Sequence, residues 1–222
     1  MPLMSSLEII QTNQNSIKSD TMKVLLLLAL FGTLLYLFWR RFSMGGSQTA
    51  VSNVRRPNTF LPIESSAAVF TQAARGTLWT VASGFILLIL ILVIGLKIKI
   101  LWLMLPLSLY LIGQLFVYTN HVRASKDQRI FYDPQTGEVL IDFLKKDTIV
   151  FNLKKDIISV SEVKSVQKNK GTLFGYYKLA TTAGTVVLPY LLEQHTNSVN
   201  RDFFAQVNTY KRNIETKLFP II

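Results

Sequence analysis

Along the 222 residues, apolar positions first gather into three long blocks and then break up into short ones. Residues 24–39 run for 16 positions without a charge, residues 78–96 for 19, and residues 100–118 for another 19. A hydrocarbon core about 30 Å thick takes roughly 20 helical residues, with about 17 at the short end. The pattern therefore predicts three transmembrane helices, the first only just long enough. The second and third are joined by a tight turn carrying Lys97 and Lys99, which makes them a helical hairpin.

From about Gln128 the period shortens. Runs of five to eight residues rich in Ile, Val, Phe, Tyr and Thr alternate with turn signals, which is strand-and-hairpin spacing. Ile130-Phe131-Tyr132 precedes the turn Asp133-Pro134-Gln135-Thr136-Gly137; residues 138–144 precede Lys145-Lys146-Asp147. Residues 148–153 alternate, with Ile149, Phe151 and Leu153 on one face. Strands over 157–163, 173–181 and 185–192 follow, separated by a polar stretch over 164–171 and by Thr182-Ala183-Gly184. The spacing predicts six or seven short antiparallel strands. After Asn197 or Ser198, a plausible N-cap, the period becomes helical: Val199, Phe203, Val207, Tyr210, Ile214 and Leu218 recur every three or four residues until Pro220. A helix with one apolar stripe needs a surface to cover, and the strand set before it is the one at hand.

Composition agrees with a membrane protein, since half of the residues are hydrophobic and they are clustered rather than spread. A cleaved signal peptide fits the first block poorly. No small-x-small site follows it, and the run ends in Trp39-Arg40-Arg41 as an uncleaved anchor does. Met22-Lys23 reads as an alternative start. Net charge is +11, and its placement sets the orientation. Residues 39–77 carry Arg40, Arg41, Arg55, Arg56 and Arg75 against Glu64, and Arg123, Lys126 and Arg129 follow the third run. By the positive-inside rule these regions are cytoplasmic and the N-terminus is outside. Trp39, Trp79, Trp102 and Tyr118 mark the ends of the spans. The expected organisation is an extracytoplasmic segment 1–22, a first span 23–39, a basic cytoplasmic loop 40–77, the hairpin 78–118 and a cytoplasmic domain 119–222. Within the loop, residues 65–76 suit a short interfacial helix.

Little catalytic chemistry is on offer. No Asp, Glu, Lys, Arg or His lies inside the three runs, which argues against a pump or transporter. Pro106 and Gln114 in the third run suit a kink and an interhelical hydrogen bond. There are no cysteines, and His121 and His195 stand 74 positions apart with no metal-ligand spacing. The stretch Gly171-Thr172-Leu173-Phe174-Gly175 mimics a phosphate loop but lacks the GK[ST] ending. The reading is a non-enzyme with no cofactor, no metal and no nucleic-acid partner.

The pattern Ile149-x-Phe151 with Ile157-Ile158-x-Val160, then Gly171-Thr172-Leu173-Phe174-Gly175-Tyr176-Tyr177 and Thr181-Thr182-Ala183-Gly184, resembles the bacterial pleckstrin-homology-like (PH-like) membrane proteins. That resemblance covers roughly residues 97–218. It implies a membrane α-helical anchor plus an α+β cytoplasmic domain, a PH-like antiparallel β-sandwich capped by a C-terminal helix, in a family better known for its fold than for an activity. The phosphoinositide-binding members of the wider superfamily carry several Lys and Arg between the first two strands; the matching turn 133–137 has none.

Candidate surface contacts are therefore general rather than specific: Arg40 and Arg41 beside the first span, and the twice-occurring Leu-Lys-Lys-Asp with Lys145, Lys146, Lys154 and Lys155. The two copies flank one strand of about six residues, roughly 20 Å long, so they occupy opposite ends of a sheet and cannot hold one phosphate together. The chain after Tyr118 carries 15 Lys and Arg against 10 acids, enough for weak contact with anionic lipid. Two functions follow as expectations: a membrane-anchored interaction module that binds a protein partner or the inner-leaflet surface, or a structural subunit of a larger membrane complex.

Overall fold

The computed structural model describes residues 32, 33, 36, 59–144, 147–169 and 171–222. The chain divides into two compact units, Met1–Gly46 and Ser47–Ile222. In the first, Gly32, Thr33 and Tyr36 are helical; the rest of the expected span over 23–39, with the segment before it, lies outside the described residues.

In the second unit two helices are long and apolar enough to cross a membrane. Helix α1 (Ala67–Gly95) starts at Ser66, whose hydroxyl accepts the Val69 N–H at 3.2 Å. Its 29 residues give about 43 Å, so the first turns extend beyond a 30 Å core. The expected interfacial helix over 65–76 is thus not separate: it is the head of α1. After a 3-10 turn (Lys99–Met104), α2 (Leu105–Lys126) returns antiparallel. Pro106 sits in the first turn of α2, where its missing N–H costs nothing, and no kink is needed to explain it. Only 28 % of each helix's most apolar window is buried within the protein, as suits lipid-facing helices and not the core of a soluble fold. Gly84 lets them meet: a Cβ there would stand 2.8 Å from Leu111 Cβ. Ser108 donates to the Gly84 carbonyl at 2.9 Å.

Eight strands form two four-stranded sheets among the described residues. The first has the order β1 (Leu61–Ile63), β2 (Gln128–Tyr132), β3 (Glu138–Phe143), β4 (Ile149–Asn152). The second has the order β7 (Gly184–Pro189), β6 (Thr172–Thr181), β5 (Ile157–Asn169), β8 (Arg212–Lys217). One core joins both sheets to α4 (Ser198–Thr209): Ile130, Tyr132, Ile141 and Phe151 from the first sheet meet Val160, Leu179, Val186 and Leu188 from the second, and Phe203, Phe204 and Val207 from the helix. Asn197 caps α4 through the Asn200 N–H at 2.7 Å. The buried Asn200 amide then donates to the carbonyls of Glu64 and Leu192, which pins α4 to the entry of α1.

Six strands, β2 to β7, precede α4 as the turn spacing predicts, and Gly137 and Gly184 take the positive φ of their turns, 76° and 139°. Several expectations need correction. The helix ends at Thr209, not near Pro220, and is followed by β8, which runs parallel to β5 with Arg212 opposite Val160. The sandwich is therefore not purely antiparallel, and a strand rather than a helix closes it. Another strand, β1, comes from before the hairpin, inside the expected loop 40–77. The polar stretch after 163 is not a loop either: β5 continues to Asn169. Finally, β7 stops at Pro189 and passes into the one-turn helix α3 (Tyr190–Glu193).

Candidate functional site

Strand β6 is buried on both faces near its start. Tyr177 and Leu179 point into the sandwich core, whereas Phe174 lies against the helical hairpin with Ala73, Val117 and Leu191. Around this second cluster pack Val69, Phe70, Tyr118 and Val122. Ser65 adds a hydroxyl bond to the Leu191 carbonyl. Sandwich and hairpin thus share a dry joint, and α2 passes into β2 through the single residue Asp127. His121, which the sequence places at an interface, is fully buried in this joint, its ring 5.4 Å from that of Phe174 and 6.2 Å from that of Tyr176. Its Nε2 donates to the Pro220 carbonyl at 2.7 Å. Gln114 is buried and does not make the interhelical hydrogen bond expected of it.

A second polar cluster ties the strands together. Glu162 on β5 accepts from the Tyr190 hydroxyl at 2.5 Å and from Arg212 on β8 at 2.9 Å. Tyr177 donates to Glu193 at 2.9 Å and has the Arg212 guanidinium over its ring at 5.7 Å. Nothing in the local sequence marks this group, because its members are up to 50 positions apart. Burial, together with the Glu193 carboxylate beside Tyr177 and the Glu162 bond to Tyr190, pushes both phenols well above their ordinary pKa. They remain neutral donors. Each carboxylate has a partner, so the cluster acts as a tie between strands and offers no free nucleophile or base. Removing Arg212 leaves Glu162 half-satisfied and frees the start of β8; Arg212→Ala is expected to cost about 2 kcal/mol, between surface and buried pairs. Denaturant unfolding in detergent micelles measures it. The same melts should show stability falling as pH rises above about 10, because the unfolded chain releases phenolic protons that the folded one retains.

The expected surface lysines separate. Arg40, Arg41, Lys145 and Lys146 lie outside the described residues. Lys154 and Lys155 are exposed in the β4–β5 turn. That turn abuts the β2–β3 turn, Leu153 N–H bonding to the Gly137 carbonyl at 2.8 Å, and it lies at the end of the sheet away from the hairpin. Its geometry is that of a self-contained turn: Asp156 accepts the Asn152 N–H at 2.6 Å, and Asn152 accepts the Lys154 N–H at 2.9 Å. Asp156→Ala should cost about 1.5 kcal/mol, as a lost charge-assisted hydrogen bond does, while Lys154→Gln with Lys155→Gln should stay within about 0.5 kcal/mol. Equal losses in denaturant melts would contradict the turn reading. Leu144, by contrast, donates its N–H to the Asp127 carbonyl, which sets the end of β3 beside the helical hairpin.

Among the described residues no group of three His, Asp or Glu is placed to hold a metal. The mimic of a phosphate loop is the β5–β6 turn: Gly171 has a φ of 91°, and Gly175 lies under the Tyr190 ring. Comparison with protein-family models, with curated proteins and with solved structures finds no match to this chain.

Proposed function

We propose that the chain is a non-catalytic, membrane-anchored interaction module. Residues 24–39 and the two hairpin helices span a bacterial inner membrane, and a PH-like sandwich rests on its cytoplasmic face, where it engages a protein partner or the inner leaflet. The observation that carries this reading is the joint of Ala73, Val117, Phe174 and Leu191, because it gives the sandwich a fixed stance on the hairpin instead of a loose tether. Two sheets and one helix around a single core support the PH-like reading, with β1 and β8 as additions to that pattern. A protein partner would find open strand edges at β4 and β8, beside exposed Val150 and Ile214. The alternative, a structural subunit of a larger membrane complex, draws less support. Gly84 and Gly113, suited to contacts with foreign spans, are filled from within the chain by Leu111 and Phe219.

Extraction in mild detergent, followed by sizing and mass spectrometry, tests the choice. The module reading expects a chain that purifies without stoichiometric membrane partners; a stable assembly held through the spans would replace it with the subunit reading. Reporter fusions test the orientation, and an extracytoplasmic signal from a fusion after Ile222 would reverse it.

A further inference from the structure

We propose that residues 218–222 form a second, non-helical membrane contact, a foot set into lipid beside the helices. This inference rests on the membrane-anchored reading. Depth can be followed along α2, where falling residue numbers lead toward the bilayer centre. Tyr176 packs on His121, and Phe174, two residues nearer the tip of β6, packs on His121 and on Tyr118, with ring centroids 6.3 Å apart in the second pair. The hairpin tip therefore points toward the bilayer. Strand β8 runs the same way, Lys217 pairing with Ser165, and delivers the chain to Phe219.

Phe219 lies at the level of the apolar run. Its ring centroid is 5.4 Å from that of Tyr110, and it covers Gly113 so closely that a Cβ there would stand 2.7 Å from Cε1. Gly113 precedes Tyr118 by five residues, about 7 Å along the helix. Irregular backbone enters lipid only if its polar groups are satisfied, and this segment meets much of that demand. Pro220 has no N–H, and its carbonyl takes the His121 proton. The Ile221 N–H bonds to the Phe219 carbonyl at 2.9 Å. The Asn120 side chain accepts the Ile222 N–H at 2.7 Å and donates to its carbonyl at 3.3 Å. Outward remain the apolar side chains of Leu218 and Ile221. Lipid is the occupant that fits, because Phe219 seats this segment on Gly113 and Tyr110, within the apolar run of α2. Lys217, paired with Ser165 on β5, stands just above it, at headgroup height.

The chain has no cysteine, so single-cysteine variants can be spin-labelled directly in the full-length protein reconstituted in phosphatidylcholine–phosphatidylglycerol vesicles. Leu218→Cys and Ile221→Cys should show oxygen-over-nickel collision ratios like that of Leu90→Cys on α1, while Ile158→Cys, at the far end of β5, stays aqueous. Aqueous ratios at 218 and 221 with Leu90 in lipid would overturn the foot and leave the anchor standing; an aqueous Leu90 would overturn both. Gly113→Leu should release Phe219 and mobilise the Ile221 label without affecting Ile158. An unchanged Ile221 spectrum would rule out the seating on α2.

Discussion

Gly175→Ala is expected to destabilise the sandwich by about 3 kcal/mol, near the upper end for overpacking a tight site. The added Cβ would lie 2.6 Å from Cε2 of Tyr190 and 2.7 Å from the Val163 carbonyl oxygen. A ring can tilt, but this one is held by the Glu162 bond, and the carbonyl belongs to the neighbouring strand of a buried ladder. Relief therefore requires β5 and β6 to part. Denaturant unfolding followed by near-UV circular dichroism of the sandwich tyrosines in detergent micelles measures the loss. Combining Gly175→Ala with Tyr190→Leu removes one of the two clashes and should recover only part of it. Full stability in the single variant would show that the strands accommodate the methyl group.

Phe174→Ala, on the opposite face of the same strand, is expected to cost about 3–5 kcal/mol as a large buried ring is lost. Its consequence is more than a cavity. Phe174 is the sandwich's main contribution to the cluster shared with Ala73 and Val117, so its removal should also loosen the stance of the sandwich on the hairpin. Spin labels at Leu90→Cys and Ile158→Cys report this as a distance distribution. We expect it to broaden in Phe174→Ala. A lowered melt with an unchanged distribution would mean that the joint is held by α3 and the Asp127 connection instead.

The hairpin helices were legible because lipid imposes a local rule, a long run without charge. Strands β2, β3, β4 and β6 were legible because Asp133, Gly137 and Gly184 punctuate them. What escaped depends on distant pairing. Strand β1 is three residues long and exists through its register with Ile130 to Tyr132. Strand β8 keeps the helical spacing through Ile214 and Leu218, yet Ile214 is 55 % exposed. Tyr210 turns extended with ψ 142°, and the segment pairs with β5 and with Glu162. The polar end of β5 resembled a loop because Val166 and Lys168 face outward. The same blindness hid the Glu162 cluster. That Lys154 and Lys155 sit in a turn at one end of a sheet could be read from strand length alone, but that this end lies away from the hairpin needed the bond between Leu153 and Gly137.

Strand β1 enters the hairpin and strand β2 leaves it, and the two pair, Ile63 opposite Ile130. This ordering has a consequence for biosynthesis. The first sheet cannot close until both helices have been made, because its first two strands are separated in the chain by the entire helical hairpin. Once closed, it ties the ends of the two helices like a clasp. Strand β8 arrives last, so the edge of β5 must wait unpaired until nearly the whole chain has been synthesised. A nascent chain halted before Arg212 would carry a long bare edge, the kind of surface that chaperones shield and aggregates recruit.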